Sequence, residues 1–235
     1  MSIKKLAPED KWAEMIGKPP ETLDWERYRG PAKDFAYHPM VHPWNWRWIN
    51  AFGGGQLLDW VGHHVDIALW ALGLDNTGPV KVEGTGEPGD HALFDTYVKY
   101  SYQGTFADGR VIEVRSDFGG TKFTGENGWI HVDRGRLVAS DTPDGKGDPR
   151  HPLLRNLPAD FAEKVPSHQQ DFIDCVRSRK LPVSHAEASH RASSFGQLAI
   201  VAMDTKQPLA WDPQAEKVIG NAQQAAHPRL SARFV

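Results

Sequence analysis

Asp59, His63, Asp66 and Trp70 follow one another at steps of four, three and four residues within the stretch Gly53–Gly73. A helix turns about 100° per residue, so these side chains fall within about 60° of one another as one outward stripe. Leu57, Leu58, Val61, Val65, Ala68, Leu69 and Leu72 fill the opposite arc and are expected to face a core. A carboxylate one turn before an imidazole suits proton transfer, because it orients the ring and raises its basicity near neutral pH. An Asp/His pair that only faces solvent has the same spacing, so the pair alone leaves both readings open. Asp66 fits a substrate contact or a structural contact equally well. His64 projects about 100° away from His63, toward the buried arc, and reads as a core histidine.

Other residues could serve the same stripe. Trp44, Trp46 and Trp48 bunch just upstream, where packing explains such aromatics and stacking on a sugar ring is the alternative. Arg47 could bind a hydroxyl or carboxylate of a substrate, or pair with Asp59 or Asp66. Lys122 lies in a strand-rich stretch, where a substrate contact competes with a plain surface position. His38 and His42 are four residues apart, but Pro39 and Pro43 argue against the helix that would align them. With His63 they are the candidates should a divalent metal be bound, and no metal site is assigned.

The elements that position these residues can be read in outline. Residues 1–50 are punctuated by prolines and read as an irregular segment wrapping a surface, with Pro8–Ile16 as a short helix. Residues 51–220 read as one α+β domain and residues 221–235 as a tail able to swap onto a neighbour. From Pro79 to about Ala139 the β-branched and aromatic residues suit strands. Asp108-Gly109 predicts a hairpin between Tyr97–Phe106 and Arg110–Phe118, and Asn127-Gly128 a second between Lys122–Thr124 and Trp129–Val132. Consecutive hairpins make an antiparallel sheet. Residues 141–160 are rich in Pro, Gly and Asp and read as a surface excursion. Ser167-x-x-Gln170 predicts a capped helix ending near Lys180, and Ser184-x-x-Glu187 opens another running to about Thr205. Phe195, Leu198, Ala199 and Ala202 supply its core face.

Composition excludes some classes. The chain has 235 residues, long enough for a sizeable core, and a formal net charge of −3. That balance argues against nucleic acid as the main partner. The single Cys175 excludes an internal disulfide. No apolar run reaches the length of a membrane span and no signal-peptide core opens the chain, so a cytoplasmic location is expected.

The run GGG-x-L-x-D-x-x-x-H-x-x-D beginning at Gly53 resembles the C-terminal substrate-binding and oligomerisation domain of the Gfo/Idh/MocA family, named for glucose–fructose oxidoreductase and inositol dehydrogenase. Trp46-Arg47-Trp48, Gly119-Gly120-Thr121-Lys122-Phe123 and Gly125-Glu126-Asn127-Gly128-Trp129-Ile130 with Val132–Gly135 are similar too. So are Asp171–Lys180, His190-Arg191 and Trp211-Asp212-Pro213; the resemblance covers roughly residues 20–222. It implies a large open, mostly antiparallel β-sheet with helices on one face and the other face used for homo-oligomer contacts or substrate. It also implies carbohydrate chemistry with His63 as the base that takes a hydroxyl proton and Asp59 as its orienting partner. Asp66, Arg47, Trp46, Trp70 and Lys122 are the implied substrate contacts.

Two family features are missing from the sequence: the Rossmann domain that binds NAD(P), and the Glu-Lys-Pro whose Lys works beside the Asp and His. The only Lys-Pro is Lys18-Pro19, without a preceding Glu. Gly84-x-Gly86-x-x-Gly89 matches a dinucleotide fingerprint in letters, yet Pro88 and Gly89 lead toward a predicted strand, Ala92–Tyr102, where the fingerprint must open a helix. Three readings follow. The chain is a stand-alone sugar, ketosugar or cyclitol enzyme doing acid–base chemistry such as enolisation, epimerisation or β-elimination, without its own nicotinamide site. Or it is the substrate half of a split dehydrogenase whose Rossmann subunit brings NAD(P). Or it is a non-catalytic sugar-binding or oligomerisation module.

Overall fold

The computed structural model describes residues 15–30, 32, 35–91, 93–155 and 167–230. The helix expected over Pro8–Ile16 therefore lies almost wholly outside the described residues. Where the sequence suggests a wrapping segment, one domain and a tail, contacts group the chain into two compact units. The first takes the described residues within Met1–Trp60, Pro79–Ser116 and Phe195–Val235, and the second those within Val61–Gly78 and Asp117–Ser194.

The first unit is built on a five-stranded antiparallel sheet in the order β3-β2-β1-β7-β8. Its strands are β1 (Lys81–Pro88), β2 (Tyr97–Thr105), β3 (Val111–Arg115), β7 (Leu209–Asp212) and β8 (Lys217–Val218). Alternation places Tyr100, Tyr102 and Gly104 of β2 inward. Against them lies the second half of α5 (Ala186–Thr205), whose Phe195, Leu198, Ala199 and Ala202 are all buried, as the sequence predicts. Phe195 meets Tyr102 edge-on with centroids 5.4 Å apart. The approach is close because Gly104 carries no side chain: a Cβ there would stand 2.5 Å from the Phe195 ring.

The Asp108-Gly109 hairpin forms as predicted between β2 and β3. Gly109 takes φ +87°, a conformation L side chains rarely adopt, and its N–H donates to the Phe106 carbonyl at 3.0 Å. The N-terminal segment has its own small core of Trp25, Val41, Ile49 and Phe94, joined by Tyr28, Tyr37 and Phe52. Its short helix α1 (Trp25–Arg29) is capped by the Asp24 side chain. At the other end, residues 221–230 fold back onto this unit. There α6 (Ala222–Ala225) sinks Gln224, whose amide donates to Thr205 Oγ1 at 3.0 Å and to the Gln207 carbonyl at 3.2 Å.

The second unit holds a separate three-stranded antiparallel sheet, β4 (Thr121–Gly125), β5 (Gly128–Asp133) and β6 (Arg136–Ser140). The antiparallel pairing expected from consecutive hairpins is present throughout, distributed over two sheets. Hairpin signals report which strands are sequential neighbours, and Ser116–Gly120 separates β3 from β4 without a ladder between them. The second predicted hairpin is shifted by one residue. Gly128 pairs with Gly125 inside the ladder, so Glu126-Asn127 form the loop. The excursion after β6 returns to it through an Ala139–Asp148 bridge, and its residues 156–160 lie outside the described ones.

In the same unit α4 (His168–Ser178) begins as predicted, with Ser167 Oγ accepting the Gln170 N–H at 3.2 Å. Helix α5 differs: it starts at Ala186, and the His185 ring rather than Ser184 accepts the Ala188 N–H, at 3.4 Å. No helix among the described residues is long and apolar enough to cross a membrane.

Candidate functional site

The helix that carries the stripe runs from Gly55 to Leu72, but not as one regular α-helix. Helix α2 (Gly55–Trp60) passes into a π turn over Val61–Val65 and then into α3 (Asp66–Leu72). A π turn admits an extra residue per turn and occurs often at functional positions. Gly62, a weak helix former, sits inside it. Burial follows most of the predicted arc: Leu57, Val61, Val65, Ala68 and Leu69 are buried and Leu58 and Leu72 half-buried, while Asp59, His63 and Trp70 are exposed and Asp66 half-buried. Gly73 closes the run in the left-handed conformation, its N–H reaching back to the Leu69 and Trp70 carbonyls.

In the first unit the approach to the helix is a single-turn 3-10 helix, Asn45–Trp48, followed by a tight turn through residues 49–53. Arg47 takes the ion-pair option open to it in the sequence: Nη2 lies 3.0 Å from Asp59 Oδ2. Its guanidinium stands 4.9 Å from the ring centre of Trp44 and 5.5 Å from that of Trp48. The Asp59 carboxyl is 39 % exposed against 19 % for the Arg47 side chain, so the acid presents a wet edge. Trp44 and Trp46, in the same stretch as Arg47, are exposed.

In the second unit His63 and His64 both sit in the π turn. His64 is half-buried, with Thr121 Oγ1 of β4 donating to its backbone carbonyl at 3.0 Å. Burial holds its imidazole below the ordinary histidine range; Arg134, His63 and His131 act in the same direction and Asp133 against it. Burial likewise raises the Asp66 carboxyl, with Asp75 adding to the effect and His63 opposing it. Lys122 is exposed on β4, its ammonium 4.5 Å from the centre of the Trp129 ring.

The remaining candidates separate. His38 is buried, with Nδ1 accepting the Met40 N–H at 3.1 Å, and His42 is exposed with its ring against Tyr28. Residues 39–44 form turns, not a helix, and among the described residues no three His, Cys, Asp or Glu side chains group as a metal set. The Gly84–Gly89 motif runs along β1 and past its end, with no helix N-terminus following it. Those glycines do not fit a dinucleotide. They admit close neighbours instead, such as Met203 and Tyr97 over Gly86.

Sequence reasoning missed the stacking of Arg47 on Trp44 and Trp48, although the Trp-x-x-Arg-Trp spacing was its visible signal. It also missed Arg229, whose guanidinium binds the turn before the helix, and His131, which neighbours His64 electrostatically.

A family model described as the C-terminal alpha/beta domain of the oxidoreductase family Gfo/Idh/MocA matches residues 10–231. The chain belongs to this family. Two solved structures share the fold of the Gfo/Idh/MocA domain at TM-score 0.50. One is an aldose-aldose oxidoreductase from Caulobacter crescentus complexed with glycerol, 16% identical, covering 72% of this chain and 51% of that one. The other is an NAD-binding protein from Listeria innocua, 20% identical, with the same two coverages of 72% and 51%. This Gfo/Idh/MocA chain thus spans about half the length of the solved structures it matches. A search of curated proteins finds no match.

Proposed function

We propose that this Gfo/Idh/MocA domain binds a sugar, ketosugar or cyclitol over the outward stripe of the Gly55–Leu72 helix and performs acid–base chemistry on it. The observation that supports the reading most directly is the exposed Asp59 carboxylate, paired with a guanidinium that lies over the rings of Trp44 and Trp48, Trp44 being itself exposed. Hydroxyl groups are recognised by carboxylate and guanidinium forks, and the C–H faces of a sugar ring by indole faces. An aldose-directed enzyme among structures of this fold acts on that substrate class.

His63, exposed one turn along the helix, is the proposed base. It takes the proton from a hydroxyl, or from a carbon beside a carbonyl, with Asp59 as its proposed orienting partner. Asp66, Trp70 and Lys122 are the proposed further contacts. Enolisation, epimerisation and β-elimination need only a placed base and an electrophile. The test is proton–deuterium exchange at substrate carbons, followed by NMR across a panel of aldoses, ketoses and cyclitols. Exchange by the wild type that disappears in His63→Ala, at an unchanged unfolding midpoint, supports the reading. Undiminished exchange in His63→Ala overturns it.

One observation favours a second reading, in which this domain is the substrate half of a dehydrogenase whose Rossmann subunit binds NAD(P). Helix α4 has no buried residue among those described, and Phe172, Ile173 and Val176 are exposed along it. An uncovered apolar helix face is a docking feature. Native mass spectrometry of the protein purified from its own cells separates the readings. A second chain with bound dinucleotide supports the dehydrogenase half, and a homo-oligomer without nucleotide the stand-alone enzyme.

A further inference from the structure

We propose that Arg229 is a positioning residue that fixes the turn between Arg47 and Asp59 and thereby the geometry of that pair. Its Nη2 donates to the Asn50 side-chain carbonyl at 2.7 Å and to the backbone carbonyls of Asn50 and Gly53, each at 3.2 Å. Its Nη1 donates to Gln197 Oε1 on α5 at 2.8 Å. The residues it grips form the tight turn in which the Phe52 and Gly53 N–H groups both reach back to the Ile49 carbonyl. Arg47 lies immediately before that turn and Asp59 in the helix immediately after it.

Both ends of this clamp are themselves held. Asn50 has its backbone N–H on Asp95 Oδ1 and its side-chain NH2 on the Asp95 carbonyl, both at 2.7 Å. The segment carrying Arg229 is anchored by buried Gln224 and by His227, whose Nε2 lies 3.2 Å from Asp204 Oδ2. Asp204 in turn accepts the Tyr97 hydroxyl at 2.7 Å. A planar guanidinium can hold Gln197 with one nitrogen and the turn with the other, which a lysine ammonium cannot do in the same geometry. The hydrogen bonds of Arg229 go to the turn and to Gln197, so its proposed action on the pair runs through the turn.

The consequence for ligand affinity rests on the sugar-binding reading above; the positioning itself does not. The experiment therefore reads both separately on the full chain. Indole N–H resonances of Trp44 and Trp48, assigned by single Trp→Phe replacements, report the stack around Arg47, and the Trp129 resonance serves as control. Arg229→Gln is expected to shift or broaden the Trp44 and Trp48 signals and to speed amide hydrogen exchange over residues 50–59 by about tenfold or more, leaving Trp129 in place. Arg229→Lys is expected to restore part of both effects, and it carries the test if Arg229→Gln does not fold. Wild-type Trp44 and Trp48 signals and exchange rates in the folded variants would overturn the proposal. The same samples are titrated with D-glucose and myo-inositol. Binding by the wild type that weakens in Arg229→Gln extends the clamp to ligand affinity. Moved indole signals with no binding by the wild type leave the clamp standing and count against the sugar-binding reading.

Discussion

Arg47 and Asp59 meet at 3.0 Å between Nη2 and Oδ2, with the guanidinium held over the rings of Trp44 and Trp48. The pair couples the 3-10 turn to the helix and sets a charged fork among exposed indoles. Its contribution to stability is small, because the acid is well solvated. Its proposed contribution is to shape: a flat cation stacked on an indole fixes where the carboxylate sits.

Arg47→Lys keeps the charge and loses the plane. It is expected to weaken sugar binding about tenfold, or about 1.4 kcal/mol, while changing unfolding free energy by less than about 1 kcal/mol. Titration calorimetry beside urea melts checks both halves. A lysine variant that binds as tightly as the wild type would show that the stacked geometry is irrelevant.

His64 gives the protein an acid-sensitive element. Its folded-state value lies below the ordinary 6.5, chiefly through burial. The unfolded chain therefore binds the proton more readily, and the stability contributed by the neutral ring is full above about pH 6.5 and lost as pH falls through the lowered value. Urea midpoints measured from pH 7.5 down to about 5 should fall for the wild type and fall less for His64→Gln. Parallel curves would mean that the ring is not the group responsible.

Asp66 has the opposite linkage. Its raised value means that the folded state prefers the protonated acid, so stability present below the unfolded carboxylate range is lost as pH rises through the folded value. Asp66→Asn is then expected to raise the thermal midpoint at pH 7 and to leave it nearly unchanged at pH 3. A lower midpoint at pH 7 would show that the ionised carboxylate makes a favourable structural contact.

At Gly104 the prediction is purely steric. A methyl group there would press on the fully buried Phe195 ring from 2.5 Å, so the strand or the ring must shift. Gly104→Ala should cost about 1–3 kcal/mol of stability. A calorimetric scan is sufficient to measure it.

The parts legible in the sequence were those written in local spacing. The buried arc of the Gly55–Leu72 helix followed from apolar periodicity, and the Asp108-Gly109 hairpin from a turn dipeptide with a conformational reason. Local spacing also set the errors. Asn127-Gly128 marked a hairpin but misplaced its loop by one residue, because Gly128 extends the ladder opposite Gly125. The π turn at Val61–Val65 left no signal beyond Gly62, since it changes backbone pairing without requiring particular side chains. Gly84 and Gly86 hid a strand that tight neighbours require to be bare. His185 stands in for Ser184 as the cap, its imidazole nitrogen accepting the Ala188 N–H where a Ser184 cap would accept that of Glu187. Nothing local announced Arg229, whose partners in the turn lie 176 and 179 residues away.

That separation also orders events during synthesis. The turn before the helix leaves the ribosome early, but the guanidinium that secures it emerges 179 residues later. At about 5–20 residues per second, the delay is on the order of ten seconds or more. Through that interval Asn50 and Gly53 have no Arg229 to bind, and the turn has only its earlier-made partners, Asp95 at Asn50 and the Arg47–Asp59 pair across it. Slow elongation over the last third of the message is expected to lengthen that unclamped interval without altering a single residue.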